Sequence, residues 1–232
     1  MQTKTIAAAV VTTLMTLGLA GCGSNPGSGT QTLWVKAQAI SDGDPKNTAM
    51  LVEVRQGSSD GELITDAVVT IVGDETGEFN LPWQGANLFG WKFGSYYKEL
   101  TWDTGWQLTV KRGQDALDAY LVAPGITTIT QPLDGSTFDR SQGEPLVVKW
   151  KDGYGRRAES SVAVDFERAP GQADKSFTRE DPLELEVEAN NLVATDHERV
   201  TVTRKNEIAL AGGVPGSTFS AETHHRVEFI VK

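Results

Sequence analysis

The stretch Leu183–Glu188 reads LELEVE, and its alternation of apolar and acidic residues decides the fold class. Successive side chains of a β-strand point to opposite faces, so this pattern gives a strand with one dry and one wet face. The same period of two recurs at residues 146–150, 162–167, 200–202 and 227–231. No long stretch carries a helical apolar stripe with capping residues. The sequence therefore predicts an all-β protein.

The length of the chain is sufficient for two domains. About two hundred residues of short antiparallel strands correspond to two β-sandwiches of roughly one hundred residues each. Ala123-Pro124-Gly125 is the best boundary, because turn-forming residues there follow a strand that ends at Val122. We therefore expect one sandwich at residues 33–124 and another at residues 125–232, partly docked because no long linker separates them.

The first 21 residues resemble the signal peptide of bacterial lipoproteins. Lys4 precedes a short apolar stretch, Ile6–Leu19, as in secretory signals. The following Leu19-Ala20-Gly21-Cys22 is similar to the lipobox of that family. The resemblance implies that residues 1–21 are removed, that the sulfur of Cys22 carries diacylglycerol, and that its new amino group carries an acyl chain such as palmitate. The alternative is an ordinary secretory signal followed by a chance cysteine.

Residues 22–32 are expected to form the lipidated cysteine and a flexible tether, since this segment is rich in glycine and serine. Cys22 is the only cysteine, so lipidation accounts for it and no disulfide is expected. In many Gram-negative bacteria an aspartate after the lipidated cysteine retains a lipoprotein in the inner membrane. Gly23 stands at that position, which implies export to the outer membrane, facing either the periplasm or the cell surface.

The charge of the chain limits its partners. The formal net charge is −10, and it becomes −11 without residues 1–21, where Lys4 is the one charged side chain. Such an acidic chain repels nucleic acid and anionic lipid headgroups. We therefore expect no nucleic-acid partner, and we expect membrane attachment to come from the lipid on Cys22.

Each half of the mature chain resembles a domain family. Gly61–Ile71 followed by Gly77–Pro82 is similar to the carboxypeptidase regulatory-like, transthyretin-type sandwich, and Trp106–Val110 matches a later strand of that family. In the second half, Ile129–Gly135 with Pro145–Trp150 resembles the opening of bacterial Ig-like or fibronectin-like domains, in which a tryptophan fills the core. Both families include adhesive, spacer and accessory domains, and neither implies catalysis.

The sequence offers no recognisable catalytic constellation or cofactor motif. Of the three histidines, His224 and His225 are adjacent on a predicted strand and so face opposite ways, and His197 is distant in sequence. No candidate nucleophile stands at the start of a predicted helix. We therefore expect a protein that is not an enzyme. A hydrolase whose site is assembled from distant loops is the least favoured alternative.

The segment Ser41–Asn47 is a weak candidate for a calcium site. Asp42, Asp44 and Asn47 provide oxygen atoms at short spacing, which is typical of calcium-binding loops. The segment departs from the EF-hand pattern, because Lys46 occupies the fifth position. Asp-Gly and Asp-Pro between two strands also favour a turn, and the turn is the preferred interpretation.

Aromatic residues are concentrated in residues 83–106, which hold eight of the eighteen Phe, Tyr and Trp residues. Strand alternation places one set of rings together in a core: Phe89, Trp91 and Phe93. Another set stands near the turn at residues 103–105 and is the candidate ligand-binding set: Tyr97, Trp102 and Trp106. Asp103 and Gln107 would add hydrogen bonds there. The segment is therefore either core alone or core plus a recognition face.

Two functions remain open from the sequence. The favoured one is a non-enzymatic, lipid-anchored protein of the bacterial cell envelope, which acts as a binding, scaffold or accessory subunit for another envelope protein. The alternative is a carbohydrate-binding surface lipoprotein that stacks a glycan on its loop-tip aromatic rings.

Overall fold

The computed structural model describes residues 32–88, 91–153, 161–167, 175–179 and 183–232. The signal peptide, Cys22 and most of the expected tether lie outside these ranges, as do Phe89 and the side chains of Trp91 and Phe93. The strands in chain order are β1 (Leu33–Ser41), β2 (Thr48–Gln56), β3 (Val68–Gly73), β4 (Gly77–Asn80), β5 (Trp83–Leu88), β6 (Trp91–Leu100), β7 (Gly105–Arg112), β8 (Asp115–Val122), β9 (Thr127–Gln131), β10 (Thr137–Phe138), β11 (Leu146–Asp152), β12 (Ser161–Glu167), β13 (Lys175–Arg179), β14 (Glu184–Val187), β15 (Thr195–Ala209) and β16 (Thr218–Val231).

Helical structure in the described ranges consists of two single-turn 3-10 helices, Arg140–Gln142 and Ala189–Asn191. Neither is of a length or hydropathy that would let it cross a bilayer. The prediction of an all-β chain is confirmed.

The alternation in the sequence matches the burial of the strands. On β14, Leu185 and Val187 are buried whereas Glu184 and Glu186 are exposed. The apolar positions of the other alternating strands are buried as well: Leu146, Val148 and Trp150 on β11, Val162, Val164 and Phe166 on β12, Val200 and Val202 on β15, and Val227, Phe229 and Val231 on β16. Burial of a large apolar side chain stabilises the fold by about 1.5–3 kcal/mol. These positions therefore hold the sheets together.

The described strands form three sheets around two hydrophobic cores. The largest has the order β13-β12-β15-β16-β1-β2-β6-β5, with β10 added beside β16. A four-stranded sheet, β4-β3-β7-β8, encloses the first core with one part of the large sheet. A three-stranded sheet, β14-β11-β9, encloses the second core with another part of it. The chain is therefore a pair of β-sandwiches that share one large sheet.

The β15–β16 hairpin belongs to both sandwiches. Its second strand pairs in parallel with β1 over Thr218–Thr223, and its first strand pairs with β12 over Arg199–Lys205. Phe219 is buried in the first core and Phe229 in the second. A 14-residue strand is about 45 Å long, which is longer than one sandwich requires. The first core therefore includes residues from both sides of residue 124, and β1 and β16 pair in parallel.

The connection between the sandwiches is fixed by hydrogen bonds. The Thr223 hydroxyl donates to the carbonyl of Gly125 at 3.1 Å and lies 3.0 Å from the Thr127 hydroxyl. The Asn206 side chain donates to the carbonyl of Val122 at 2.7 Å. Both Thr223 and Asn206 lie on the shared hairpin. The segment between β8 and β9 is therefore hydrogen-bonded to both strands of that hairpin.

The two ends of the molecule are set by the direction of β1. Ser41 pairs with Thr223 near the connection, so Leu33 lies at the opposite end of the first sandwich. There the carbonyl of Thr32 accepts a hydrogen bond from the Gly57 amide at 2.7 Å, and the Thr32 hydroxyl donates to Asp115. The first described residue, Thr32, therefore lies at the end of the first sandwich that is remote from the second.

Candidate functional site

Two of the three aromatic residues predicted to bind a ligand are in the core. The side chains of Trp102 and Trp106 are both 0 % exposed, and both belong to the first core. The Trp102 indole N–H donates to the carbonyl of Pro124 at 3.2 Å. The prediction that these rings face outward is wrong, because the turn between β6 and β7 folds against the β1–β2 and β3–β4 turns.

Of the three residues predicted to bind a ligand, Tyr97 is partly exposed to solvent. It lies on β6, half-buried, and its hydroxyl donates to Oε1 of Glu99 at 2.9 Å. That hydrogen bond disfavours the phenolate and raises the pKa of Tyr97. The three predicted residues therefore do not form a common stacking surface.

Asp103 anchors the β3–β4 turn. Its side chain is 0 % exposed, and Oδ2 accepts hydrogen bonds from the Glu75 amide at 3.0 Å and from the amide and hydroxyl of Thr76, both at 2.8 Å. Oδ1 accepts one from the Thr104 amide at 2.6 Å. A Cβ atom at Gly73 would overlap this carboxylate, so glycine is needed there. A buried charge is tolerated when it is fully hydrogen-bonded, and these oxygens are occupied by the protein itself.

The pKa of Asp103 lies below its ordinary value. Burial by itself raises it, but the hydrogen bonds from Glu75, Thr76 and Thr104 stabilise the charged form and outweigh burial. A carboxyl whose pKa is lower in the folded than in the unfolded state stabilises the fold above the unfolded value, about 3.9. That contribution is lost as the pH falls through the folded value.

We expect Asp103→Asn to lower the free energy of unfolding by about 1–3 kcal/mol at pH 7, because the asparagine NH₂ would face N–H donors. The difference from wild type should shrink as the pH falls below the unfolded value of about 3.9, because the carboxylate then becomes protonated on unfolding and its stabilising effect is lost. Urea unfolding at several pH values measures both effects. Asp118→Asn is the control, since Asp118 accepts from the Thr109 hydroxyl near the surface and its loss should cost less. A difference that stays constant with pH would contradict the assignment.

The candidate calcium segment forms the β1–β2 turn. Oδ1 of Asp42 accepts from the Asp44 amide at 3.4 Å, and Oδ1 of Asp44 accepts from the Lys46 amide at 2.9 Å. The Asn47 amide donates to the carbonyl of Asp44 at 3.0 Å. In the parts of the chain that the structure describes, no group of three or more His, Cys, Asp or Glu side chains is placed to hold a metal. The turn accounts for one carboxylate oxygen each of Asp42 and Asp44, and calcium binding stays a prediction.

Two of the histidines make structural contacts. His197 lies within 2.7 Å of Oε1 of Glu228, and Arg199 lies 3.0 Å from Oε2 of the same carboxylate. The contacts with His197 and then Arg199 hold the pKa of Glu228 below its ordinary value. On β16, Nδ1 of His225 accepts from the Ile129 amide at 3.3 Å, and burial lowers the pKa of that imidazole. The His197 contact joins the paired strands β15 and β16, and the His225 contact joins β16 of the large sheet to β9 of the three-stranded sheet.

The residues Gly57–Gly61, GSSDG, match the letters of a Gly-x-Ser-x-Gly nucleophile motif. The motif requires a sharp turn from a strand into a helix, with the serine at its tip. Here β2 instead ends in an exposed turn in which the Gly61 amide donates to the carbonyl of Ser58. The surrounding structure therefore does not support a nucleophile at Ser59.

The β5–β6 hairpin extends beyond the sheet to which it belongs. Pairing of β6 with β2 ends at Tyr96, because the edge of β2 beyond that point is taken by residues 62–64. The remainder of β6 pairs with β5 alone among the described strands. At its base, the ring centroids of Trp83 and Tyr96 are 5.4 Å apart, and the Tyr96 hydroxyl donates to the carbonyl of Ile64. We call residues 84–88 and 91–95 the β-arm.

At the base of the β-arm, described residues on both faces are exposed. Gln84, Gly85 and Ala86 are consecutive on β5 and all exposed, although successive residues of a strand face opposite sides. Gly94, opposite Gly85, is exposed as well, and a Cβ atom there would overlap the carbonyl of Gln84. The β-arm is absent from the sequence-based expectations. A sign of this hairpin in the sequence is the repeated glycine at positions 85, 90 and 94, because glycine within strands often marks a close approach of backbones.

Comparison with known proteins adds little about function. No protein-family model matches the chain, and no curated protein matches it. One similar solved structure is a chimeric titin Z1Z2 functionalized with a KLER exogenous peptide from decorin. It is 14 % identical, the alignment covers 88 % of this chain and 98 % of that one, and the TM-score is 0.26.

A second similar structure is the chicken interferon gamma receptor alpha chain, substituted with selenomethionine. It is 12 % identical, the alignment covers 89 % of this chain and 99 % of that one, and the TM-score is 0.24. These TM-scores are too low to carry an argument about function. The architecture described above therefore rests on the strands and sheets of this chain.

Proposed function

We propose that the protein is a lipid-anchored component of the bacterial cell envelope that acts without catalysis, as a binding, scaffold or accessory subunit for another envelope protein. The observation that carries the proposal is the order of features at its amino end. An apolar signal ends in Leu19-Ala20-Gly21-Cys22, and a short segment rich in glycine and serine precedes the first described strand, which begins at Leu33. That order is typical of exported lipoproteins.

The shape of the body supports a positioning role. The chain enters at one end of the first sandwich, and β16 alone carries the fold about 45 Å towards the other end of the molecule. The shared hairpin and the hydrogen bonds of Thr223 and Asn206 restrict motion between the sandwiches. A body of this kind holds surfaces at a set distance from its anchor.

The end of the body remote from Thr32 provides a surface for a partner. A depression of about 510 Å³ lies there beside the two 3-10 helices, lined mainly by polar residues that include Arg140, Glu188 and Lys232. Val193, next to the residue whose carbonyl accepts from Arg140, is 36 % exposed. Polar groups around some exposed apolar area are typical of contacts between proteins.

The carbohydrate-binding alternative has less support. It required three outward rings, and Trp102 and Trp106 are buried. Tyr97 alone offers part of one ring, whereas glycan recognition on a β-sandwich generally uses convergent rings and polar groups.

Metabolic labelling with a palmitate analogue tests the anchor. We expect wild-type protein from membranes to carry the label, and its intact mass to show loss of residues 1–21 and addition of diacylglycerol and an acyl chain. Cys22→Ala should lose the label completely and keep residues 1–21, whereas Ser24→Ala should match wild type. Unlabelled wild-type protein in the soluble fraction would contradict the proposal. Photocrosslinking in cells, from positions beside Arg140 and beside Tyr97, then identifies the partner and the surface that it contacts.

A further inference from the structure

We propose that His225 is a pH-sensitive contact between the two sandwiches, and that its protonation in acid loosens the junction between them. The contact belongs to the folded body and does not depend on whether Cys22 carries lipid. Three observations carry the proposal: the position of the imidazole ring, the hydrogen bond that the ring accepts, and the close packing around it. In the positioning role proposed above, this contact would make the rigidity of the body depend on pH.

The imidazole ring of His225 lies where the two sandwiches meet. Alternate residues of a strand share a face, so His225 is on the face of β16 that also carries Thr223 and Val227. The Thr223 hydroxyl is hydrogen-bonded to the segment between β8 and β9, and Val227 belongs to the second core. The ring therefore stands between that connecting segment and the second core.

The hydrogen bond of the ring requires the neutral imidazole. Nδ1 of His225 accepts from the amide of Ile129 on β9 at 3.3 Å, so the ring proton is on Nε2. This bond joins the three-stranded sheet of the second sandwich to the shared hairpin. A protonated imidazole carries a hydrogen on each nitrogen and cannot accept. Protonation therefore removes the bond and leaves two N–H groups facing each other.

The β1–β2 turn of the first sandwich packs closely against the same place. A Cβ atom at Gly43 would lie 3.1 Å from Cδ2 of His225, 3.3 Å from the carbonyl oxygen of His224 and 3.5 Å from that of Thr127. The turn thus contacts both β16 and β9 beside the ring. An imidazolium that rotates to find an acceptor must displace this turn or β9, so protonation disturbs contacts of both sandwiches.

Charged groups near the ring act in both directions. Asp134, in the segment between β9 and β10, favours the imidazolium, whereas His224 disfavours it. β9 itself has the sequence TTITQ and carries no charged residue. Six other charged residues belong to the neighbouring elements: Asp42, Asp44 and Lys46 in the β1–β2 turn, Asp152 opposite Thr127 on β11, Arg204 opposite Thr223 on β15, and Arg226 on β16.

The pKa of His225 lies below its ordinary value of about 6.5, and burial of the half-buried ring is the largest cause. The neutral ring is therefore the form that the closed junction holds. When the contact opens, the ring regains an ordinary pKa and binds protons more readily. The contact is thus fully stabilising above about pH 6.5, and its contribution is lost as the pH falls through the value of the closed state.

Hydrogen exchange between about pH 7.5 and about pH 5 tests the proposal, with each rate referred to that of an unprotected amide at the same pH. The protein is used in the form that cells produce. We expect the protection of residues 122–131 and of the β1–β2 turn to fall together by about three- to tenfold, since one pKa unit corresponds to a factor of ten. An NMR titration of the His225 ring should show its midpoint in the same pH range.

His225→Asn is the main variant, because its amide oxygen can accept from Ile129 in place of Nδ1 and does not titrate. It should keep wild-type protection at about pH 7.5 and lose the decrease in acid. His225→Phe keeps a ring without an acceptor, and its protection should be low throughout the pH range. The matched control is His224→Asn, since His224 faces the other side of the sheet and its loss should leave the decrease in place. Constant protection in the wild type, or a decrease that persists in His225→Asn, would overturn the proposal.

Discussion

Trp102→Ala is expected to lower the free energy of unfolding by about 3–5 kcal/mol, the range for removal of a buried tryptophan or phenylalanine ring. The side chain is fully buried in the first core, so its loss leaves a cavity. Its indole N–H also donates to the carbonyl of Pro124, and an unpaired buried carbonyl adds to the cost. Urea unfolding followed by far-ultraviolet circular dichroism measures the change without relying on tryptophan fluorescence.

Tyr97→Ala is the comparison that distinguishes a core role of Trp102 from a ligand-binding role. Tyr97 is half-buried and its hydroxyl contacts Glu99 at the surface, so its removal should cost less than about 1 kcal/mol. If Trp102→Ala left stability unchanged but abolished binding of a glycan, the ring would be exposed in solution and the carbohydrate-binding alternative would return. Trp102→Phe should lie between wild type and the alanine variant, because it keeps most of the apolar volume.

The strands were predictable because the alternation of apolar and polar residues is a local pattern in the sequence. In β14 and β12, the side chains that face the core, such as Leu185 and Phe166, alternate with side chains that face water. A stretch of about six residues is enough to show this alternation. Period two needs no knowledge of the partner strand. The prediction of two sandwiches followed from chain length and strand length, and both cores contain the apolar residues that the pattern marks.

The direction of the aromatic rings near the turn was not predictable in the same way. Trp102 and Trp106 flank Asp103, and a turn alone suggests exposure. What buries them is the contact of Asp103 with the amides of Glu75 and Thr76, which are 28 and 27 positions away. Nothing in a local pattern indicates which carboxylate will satisfy which distant turn. A buried acid was mistaken for a ligand-binding group for this reason.

The sharing of one hairpin by both cores was not predictable for a related reason. Residues 210–217 have the composition of a hairpin turn, but the pairing of β16 with β1 joins the two ends of the described chain. The Val35 amide, for example, donates to the Ser217 hydroxyl at 3.1 Å across 182 positions. Sequence patterns indicate an apolar face at the end of β16, over Val227–Val231, and Thr223 and His225 interrupt that face before Phe219 is reached. They do not indicate that its two halves serve different cores.

Because the two sandwiches share the β15–β16 hairpin, we expect them to unfold in one transition. Phe219→Ala and Phe229→Ala, on the two halves of β16, should each lower the free energy of unfolding by about 3–5 kcal/mol. Hydrogen exchange measures the effect region by region. Each variant should raise the exchange rates of β7, which lies in the first sandwich, and of β12, which lies in the second, by the same factor.

The reason is that neither core is complete without the hairpin. Unfolding of the first sandwich would remove β1 from β16 and expose Phe219, and the Thr223 and Asn206 hydrogen bonds to the connection would be lost with it. Val68→Thr is a suitable control, because Val68 is 60 % exposed on β3 and should leave exchange in both sandwiches unchanged. If Phe229→Ala accelerated exchange in β12 alone, the second sandwich would open independently, and the body could not hold its far end at a fixed distance from the proposed lipid anchor.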